Sequence, residues 1–226
     1  MLKSIIWREI ENPTLSAKTS FQILIMKFSD KDKKRLRNYY TKSLNTFGIN
    51  SAKALNWAGE ESQLGRFQAL TGVGDFDQKS ILDVGSGLGD LYHFLCLNYS
   101  NFDYLGIDIV PELVEKAKIK YPEANFLVSD ILDFNGGNFD FVLSSGALSF
   151  KVPDYKDKYF EVIKKMFSLS NIGLAFNMLD IKEHIDDELF AAYDSKEVVE
   201  LCRKITPRVE LINTYLPQDF TIYMYK

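Results

Sequence analysis

From residue 80 onward, short apolar runs alternate with longer stretches in which apolar residues recur at helical spacing. Apolar runs of about four to eight residues are typical of buried strands, and the stretches between them predict helices. The predicted strands are 81–84, 104–107, 125–128, 139–143, 172–178, 209–215 and 220–225. The predicted helices between them are 90–97, 111–120, 155–167 and 195–205. Strands that alternate with helices predict a doubly wound α/β fold, in which a parallel sheet is covered on both faces.

The last two predicted strands differ from the others because no helix separates them. Only the turn 216–219, Leu-Pro-Gln-Asp, joins them. Parallel neighbours need a long crossover connection, whereas antiparallel strands can be joined by a short turn. These two strands are therefore expected to form an antiparallel hairpin at one edge of the sheet.

The part of the chain before residue 80 carries helical signals. Ser29 and Asp32 have the spacing of a capping box, which predicts a helix over 31–45 that ends near Gly48. A second helix is predicted over 60–70, where apolar residues again recur at helical spacing.

These signals suggest a division of the chain. Residues 1–70 are expected to form an N-terminal extension with a helical lid, and residues 71–226 the ligand-binding domain. Met26 directly precedes the first helix start. Our hypothesis is that Met26 is the functional start and that residues 1–25 are dispensable.

Composition and charge exclude some classes of protein and disfavour others. Hydrophobic residues make up 46% of the 226 residues, which excludes a fully disordered chain. The net charge is −4, and residues 1–50 hold 10 basic and 4 acidic residues against 17 and 27 in residues 51–226. A protein that wraps nucleic acid through a broadly basic surface is not expected. The basic stretch between Lys27 and Lys42 favours a solvated helix face over an interaction arm.

The two cysteines, Cys96 and Cys202, lie among apolar neighbours and lack metal-binding spacing. Both are expected to be small core residues in a reducing compartment. No apolar run reaches the roughly 18 residues of a membrane span, and residues 1–10 lack the long apolar stretch of a secretory signal. We therefore expect a cytoplasmic protein without a membrane partner.

The sharpest chemical signal is the segment 83–90, Asp-Val-Gly-Ser-Gly-Leu-Gly-Asp, which joins the first strand of this region to a helix. The dinucleotide fingerprint G-x-G-x-x-G places a pyrophosphate at the helix start. This chain has Asp90 where the third glycine of that fingerprint would stand. Because Asp83 and Asp90 repel phosphates, the loop favours a nucleoside that carries a positive group.

Two further acids follow the next two predicted strands. Asp108 can accept hydrogen bonds from both hydroxyls of a ribose, and Asp130 can accept one from an exocyclic amine of adenine. The carboxyl ends of neighbouring parallel strands meet at one edge of a sheet, where open α/β sheets bind ligands. Alone, Asp108 could be a helix cap and Asp130 a turn residue, but their order favours a nucleoside site.

At these residues the chain resembles the class I S-adenosylmethionine-dependent methyltransferases, over roughly residues 55–226. The resemblance implies a Rossmann-like sheet of seven strands, mostly parallel with the last antiparallel, and S-adenosylmethionine as the cofactor. It implies that the loop glycines cradle the methionine part, Asp108 binds ribose and Asp130 meets adenine. Arg66 becomes the candidate partner of the methionine carboxylate, with a plain surface arginine as the alternative. The full set of expected cofactor-binding residues is Arg66, Asp83, Gly85, Gly87, Gly89, Asp108, Ile109, Asp130, Ile131 and Ser145.

The sequence says less about the methyl acceptor than about the cofactor. The segment 139–147 lacks the Asn/Asp-Pro-Pro-aromatic motif of amide and adenine methyltransferases, and Ser145 and Asn177 stand where metal-dependent members carry carboxylates. We therefore expect an oxygen or nitrogen atom of a small molecule as the acceptor, without a metal. His184 is a candidate general base, although an exposed loop histidine is favoured.

Two alternatives remain open. The first is a catalytically silent module that binds the cofactor and acts as a regulator or scaffold. The second is an RNA methyltransferase whose basic stretch contacts phosphates, although a nucleic-acid partner is disfavoured by the acidic remainder of the chain. The sequence does not indicate the oligomeric state.

Overall fold

The computed structural model describes residues 27–57, 59–182 and 188–226. The hypothesis about Met26 and residues 1–25 lies outside these ranges. The helices are α1 (Asp30–Phe47), α2 (Glu60–Thr71), α3 (Asp90–Asn98), α4 (Pro111–Lys120), α5 (Tyr155–Leu169) and α6 (Ser195–Arg203). The strands are β1 (Ser80–Val84), β2 (Asp103–Asp108), β3 (Asn125–Val128), β4 (Phe139–Ser144), β5 (Ser170–Leu179), β6 (Val209–Ile212) and β7 (Asp219–Tyr225).

The seven strands form one sheet in the order β3-β2-β1-β4-β5-β7-β6. β1 to β5 pair in parallel, and β7 runs antiparallel to both β5 and β6. The predicted doubly wound, mostly parallel sheet and its antiparallel terminal hairpin are confirmed. The chain reverses its direction of winding between β1 and β4, which is the place where open α/β sheets bind ligands.

The sheet is buried on both faces, and the sequence of β1 shows why. Successive side chains of a strand point to opposite faces. Ile81 packs in the cluster with α3 and α4, whereas Leu82 packs in the cluster with α5 and α6. Because both faces are covered, all residues from Ile81 to Val84 are buried, and apolar residues do not alternate with exposed ones.

Helix α1 begins as the sequence predicts. Ser29 Oγ accepts from the Asp32 backbone N–H at 3.2 Å, and the Asp32 carboxylate accepts from the Ser29 N–H at 3.0 Å. The helix lies over the carboxyl edge of the sheet, where Leu44 packs with Leu88 of the glycine loop and Leu113 of α4. α1 therefore forms a roof over the ends of the central strands.

Two expectations were wrong, one about the burial of a cysteine and one about the end of a strand. Cys202 is buried, but Cys96 is exposed, because it lies on the side of α3 that faces away from its buried residues Leu91 and Leu95. Strand β6 ends at Ile212 rather than at residue 215. In the part of the chain that the structure describes, no helix is long and apolar enough to cross a bilayer.

Candidate functional site

A cavity of about 400 Å³ opens at the carboxyl edge of the sheet, beneath α1 and beside α2. Its size falls in the range of small-molecule sites. Nine of the ten predicted cofactor-binding residues line it: Arg66, Asp83, Gly85, Gly87, Asp108, Ile109, Asp130, Ile131 and Ser145. Residues that are far apart in the chain meet there because the strands that precede them end at one edge.

The glycine loop approaches its neighbours too closely for side chains. Gly85 and Gly87 have φ values of 78° and 54°, in the left-handed region that favours glycine. A Cβ at Gly85 would clash with the Ala147 methyl group, and one at Gly87 would lie 2.9 Å from Leu55 Cδ1. Gly89 does not line the cavity. A Cβ there would lie 2.8 Å from the ring of Phe126, so this glycine permits close packing at the start of α3.

The Asp108 carboxylate is held by the backbone. Its Oδ2 accepts from the Gly87 N–H at 2.9 Å, and its Oδ1 accepts from the Val110 N–H at 2.8 Å. Burial raises the pKa of the Asp108 carboxyl above its ordinary value, and these N–H groups oppose the shift. The side chain is therefore fixed against the glycine loop, with its remaining lone pairs available to a ligand.

Asp83 and Asp90, the two acids of the glycine loop, have different surroundings. The Tyr104 hydroxyl donates to Asp83 Oδ2 at 2.7 Å. Burial raises the pKa of the Asp83 carboxyl to about 7, although the Tyr104 hydrogen bond opposes the shift. Asp90 accepts from Lys120 Nζ at 2.6 Å and from Gln63 Nε2 at 3.2 Å. Asp83 can therefore change its charge near neutral pH, whereas Asp90 is neutralised by a lysine.

Asp130 forms an ion pair with a lysine of α1, the helix that forms the roof of the cavity. Its Oδ1 accepts from the Leu132 N–H at 3.0 Å, and its Oδ2 lies 2.8 Å from Lys33 Nζ of α1. Burial lowers the pKa of Lys33, but the Asp130 carboxylate outweighs this and holds it above the ordinary value. Sequence reasoning missed Lys33, which resembles the other lysines of its helix and carries no local signal of its distant partner.

Arg66 of α2 points into the site from the opposite side. Its guanidinium lies 2.6 Å from Asp219 Oδ1 and stacks on the Trp57 ring, at 4.7 Å from the centroid. Arg66 Nε and Ser86 Oγ are shielded from water and have no hydrogen-bond partner within the described residues. Buried polar atoms are normally paired, so these two indicate a site that a polar ligand completes.

The loop after β4 is positioned by Asn177 of β5. Asn177 Oδ1 accepts from the Gly146 N–H at 2.9 Å, and its Nδ2 donates to Ser145 Oγ at 3.3 Å. From the sequence, Asn177 is notable only as the residue that stands where metal-dependent members carry a carboxylate. Within the ranges that the structure describes, no group of three or more His, Cys, Asp or Glu side chains is placed to hold a metal ion.

The remaining wall of the cavity is mostly aromatic. Tyr40, Trp57, Phe150 and Phe190 line it. The rings of Phe150 and Phe190 lie 5.9 Å apart, and those of Tyr40 and Phe150 6.3 Å apart. His184, the candidate general base, lies outside the described residues.

Residues 75–215 match the protein family described as "Methyltransferase domain". Two curated relatives are similar to the chain. A protein of Mycobacterium tuberculosis that is named as a methyltransferase is 28% identical over 162 residues, which cover 66% of this chain and 95% of that protein. Malonyl-[acyl-carrier protein] O-methyltransferase 1 of Ilyobacter polytropus is 24% identical over 161 residues, which cover 69% of this chain and 56% of that protein.

Solved structures share the fold at low identity. The magnesium protoporphyrin IX methyltransferase of Synechocystis, crystallised with bound S-adenosylmethionine, superposes with a TM-score of 0.62 at 15% identity. The match covers 89% of this chain and all of the other chain. At this level of identity the likeness concerns the fold alone.

Proposed function

Because the chain belongs to the methyltransferase domain family, we propose that it transfers a methyl group from S-adenosylmethionine to an oxygen or nitrogen atom of a small-molecule acceptor. The family match confirms the resemblance drawn from the glycine loop and the acids after the next two strands. The observation that carries the assignment is the Asp108 carboxylate, which the Gly87 and Val110 N–H groups hold at the wall of the cavity. This is the placement that a ribose-binding carboxylate requires.

The residues present fit an adenosyl sulfonium better than a dinucleotide. Asp83, Asp90, Asp108 and Asp130 all line the cavity. Lys120 and Lys33 already neutralise Asp90 and Asp130, so Asp108 and the ionised form of Asp83 are the carboxylates that attract a cation and repel a pyrophosphate. Arg66 Nε and Ser86 Oγ supply polar atoms without described partners. A ligand with a cationic centre and a terminal carboxylate satisfies both features.

We assign the subsites as follows. Gly85 and Gly87 lie beside the methionine part, with Arg66 at its carboxylate and Asp83 near its ammonium group. Asp108 binds the ribose hydroxyls. The adenine lies between the segments after β2 and β3, against Ile109, Asp130 and Ile131, and Ser145 faces the sulfur end.

The protein is expected to accelerate methyl transfer mainly by positioning the two ligands and by excluding water from the site. S-adenosylmethionine supplies an already activated methyl group when bound. The roof formed by α1 and the aromatic wall hold the acceptor in line and keep the site dry, and such positioning can supply most of the rate acceleration. The proposal includes α1 as a lid, which opens to admit both ligands.

One relative supports an oxygen acceptor. The Ilyobacter protein is named as a malonyl-[acyl-carrier protein] O-methyltransferase. The proposal places the reaction in the cytoplasm, and the unpaired Cys96 and Cys202 support a reducing compartment.

Calorimetry with S-adenosylhomocysteine tests the cofactor assignment, with NAD as the competing ligand. We expect binding of S-adenosylhomocysteine and none of NAD, and the reverse would contradict the proposal. Incubation with a methyl-labelled donor and a metabolite extract then tests catalysis. Binding without transfer of label to any compound would favour the catalytically silent alternative.

A nucleic-acid acceptor is the other candidate, because α1 is basic. Three basic side chains of this region are already paired with acids of the protein: Lys27 with Asp133, Lys33 with Asp130 and Arg37 with Glu112. This leaves fewer charges for phosphates. RNA binding that weakens steeply with added salt would favour this candidate over a small molecule.

A further inference from the structure

The indole N–H of Trp57 is a buried donor without an acceptor. The Trp57 ring lines the cavity and is only 8% exposed, and its Nε1 has no hydrogen-bond partner within the described residues. The ring is held in place by Arg66, whose guanidinium stacks on it. It also packs on Gly146, where a Cβ would lie 3.0 Å from the ring. The donor is therefore held rigidly beside the loop after β4.

A second donor precedes it in the chain. Asn56 lines the cavity and adopts a left-handed backbone conformation, with φ 62° and ψ 29°. The Tyr39 hydroxyl donates to Asn56 Oδ1 at 3.1 Å, which orients the amide. Asn56 is exposed, and because its Oδ1 accepts from Tyr39 its NH₂ group is left to donate to a ligand. The unpaired Trp57 N–H and the Asn56 amide thus belong to adjacent residues that line the same cavity, next to a wall of aromatic side chains.

We propose that Trp57 and Asn56 bind the carboxylate of an apolar acid and present it for methylation, so that the product is a methyl ester. This inference rests on the proposed function. Two donors match the two oxygens of a carboxylate, whereas a hydroxyl or an amine acceptor brings its own O–H or N–H groups. The wall formed by Tyr40, Phe150 and Phe190 selects an apolar body for the acid.

The reaction balances without a general base. One carboxylate oxygen uses a lone pair to bond to the methyl carbon as the carbon–sulfur bond breaks. The electron pair of that bond remains on sulfur, so the sulfonium becomes a neutral thioether and the carboxylate a neutral ester. No proton moves, because a carboxylic acid is already ionised at neutral pH.

Binding provides the first test. The protein is saturated with S-adenosylhomocysteine and titrated by calorimetry with benzoate, trans-cinnamate and octanoate, each against its primary amide. We expect saturable binding of at least one acid, with its amide weaker by about tenfold or more, since a hydrogen bond to a charged group is the stronger kind. Amides that bind as tightly as the acids, or a complete lack of binding by the acids, would overturn the proposal. In a Trp7→Phe background, in which Trp57 is the remaining tryptophan, binding must also change the tryptophan emission.

Matched variants locate the subsite. Trp57→Phe keeps a ring against Arg66 and removes the N–H, and Asn56→Gly keeps the left-handed backbone and removes the amide. Each is expected to weaken acid binding by about tenfold. Asn56→Asp is expected to weaken it further by charge repulsion. Affinity for S-adenosylhomocysteine should stay unchanged in all three, and a loss there instead would assign the two donors to the cofactor site and overturn the inference.

The product gives an independent readout. Label transferred from a methyl-labelled donor must be released as methanol by mild alkali, as a methyl ester requires. Label that resists alkali would overturn the inference while leaving the proposed function intact. A parent protein that does not bind S-adenosylhomocysteine would instead contradict the proposed function itself.

Discussion

The Lys33 ammonium lies 2.8 Å from the Asp130 carboxylate and so joins the roof helix α1 to the end of β3. The Asp130 side chain is only 6% exposed, whereas that of Lys33 is 30% exposed. Asp130 is also the residue that we assign to the adenine. The pair therefore joins α1, the proposed lid, to the place that we assign to one end of the cofactor.

Replacing Lys33 with methionine is expected to loosen the lid. The loss of the lysine leaves a buried carboxylate without its cation, which we expect to destabilise the docked helix by about 1–2 kcal/mol. Hydrogen exchange should become faster in residues 30–47. S-adenosylhomocysteine should also bind and dissociate faster, as measured by stopped-flow fluorescence. The matched control is Lys34→Met, which removes an exposed lysine of the same helix. Equal ligand-binding and dissociation rates in both variants would contradict the proposed role of α1 as a lid.

Asp108 is expected to dominate the affinity for the cofactor. Asp108→Asn removes the charge from a group that both the glycine loop and the proposed ribose contact. A hydrogen bond to a charged group is worth about 1.5–3 kcal/mol, so affinity for S-adenosylhomocysteine should fall by about tenfold to a hundredfold. Calorimetry measures the change, and circular dichroism checks that the variant is folded. Asp103→Asn, at the exposed start of the same strand, is the control, and an unchanged affinity in Asp108→Asn would remove the ribose assignment.

Asp83 should make the stability of the protein depend on pH. The carboxyl has an ordinary value of 3.8 in the unfolded chain, and burial raises its pKa to about 7 in the folded protein. Between these values the folded protein keeps a proton that the unfolded chain has lost. The free energy of unfolding contributed by Asp83 therefore decreases as pH rises from about 4 to about 7, by at most about 4 kcal/mol. Urea unfolding of the parent and of Asp83→Asn across this range measures it, and parallel curves for the two proteins would refute it.

The same titration should appear in ligand binding. Ionised Asp83 attracts the ammonium group that we assign beside it, whereas the protonated form does not. Affinity for S-adenosylhomocysteine is thus expected to increase as pH rises through about 7 in the parent and to stay level in Asp83→Asn. An identical pH dependence in both would move the ammonium group away from Asp83.

The order of helices and strands could be predicted from sequence because each element buries a face with a local period. The β1 run and the Ser29–Asp32 capping box are examples, and both are determined by residues a few positions apart. Cys96 shows the limit of this reasoning. Most of α3 is apolar, so the sequence alone does not distinguish the face that the sheet covers from the face that water covers.

Site residues that belong to a motif next to a strand could be predicted from the sequence. The ion pairs between residues that are distant in the chain could not. The glycine loop, Asp108 and Asp130 follow strands directly, and the topology brings such positions together. The partners of Asp130 and Arg66 depend on where α1 and β7 dock, and a lysine or an aspartate has no periodic signal that reveals this. The Trp57 donor was missed for a similar reason, since its lack of an acceptor is visible only once its surroundings are known.

Arg66 is expected to have a structural role and a binding role, and one double variant can separate them. Its side chain is 13% exposed and that of Asp219 only 3%, so this is a largely buried ion pair. Arg66→Met removes the cation beside a buried carboxylate and should destabilise the protein by about 3–5 kcal/mol. Adding Asp219→Leu removes that carboxylate as well and should restore much of the stability, because an apolar pair can replace a buried ion pair.

The double variant Arg66→Met/Asp219→Leu then isolates the role of the arginine at the ligand. If the guanidinium also contacts the methionine carboxylate, the stable double variant should still bind S-adenosylhomocysteine about tenfold or more weakly than the parent. Adenosine, which lacks the methionine part, should bind both proteins equally. Thermal unfolding and calorimetry with the two ligands provide the measurements. Recovery of S-adenosylhomocysteine affinity together with stability would show that Arg66 only supports β7, and the carboxylate partner would have to be sought among the other donors of the cavity.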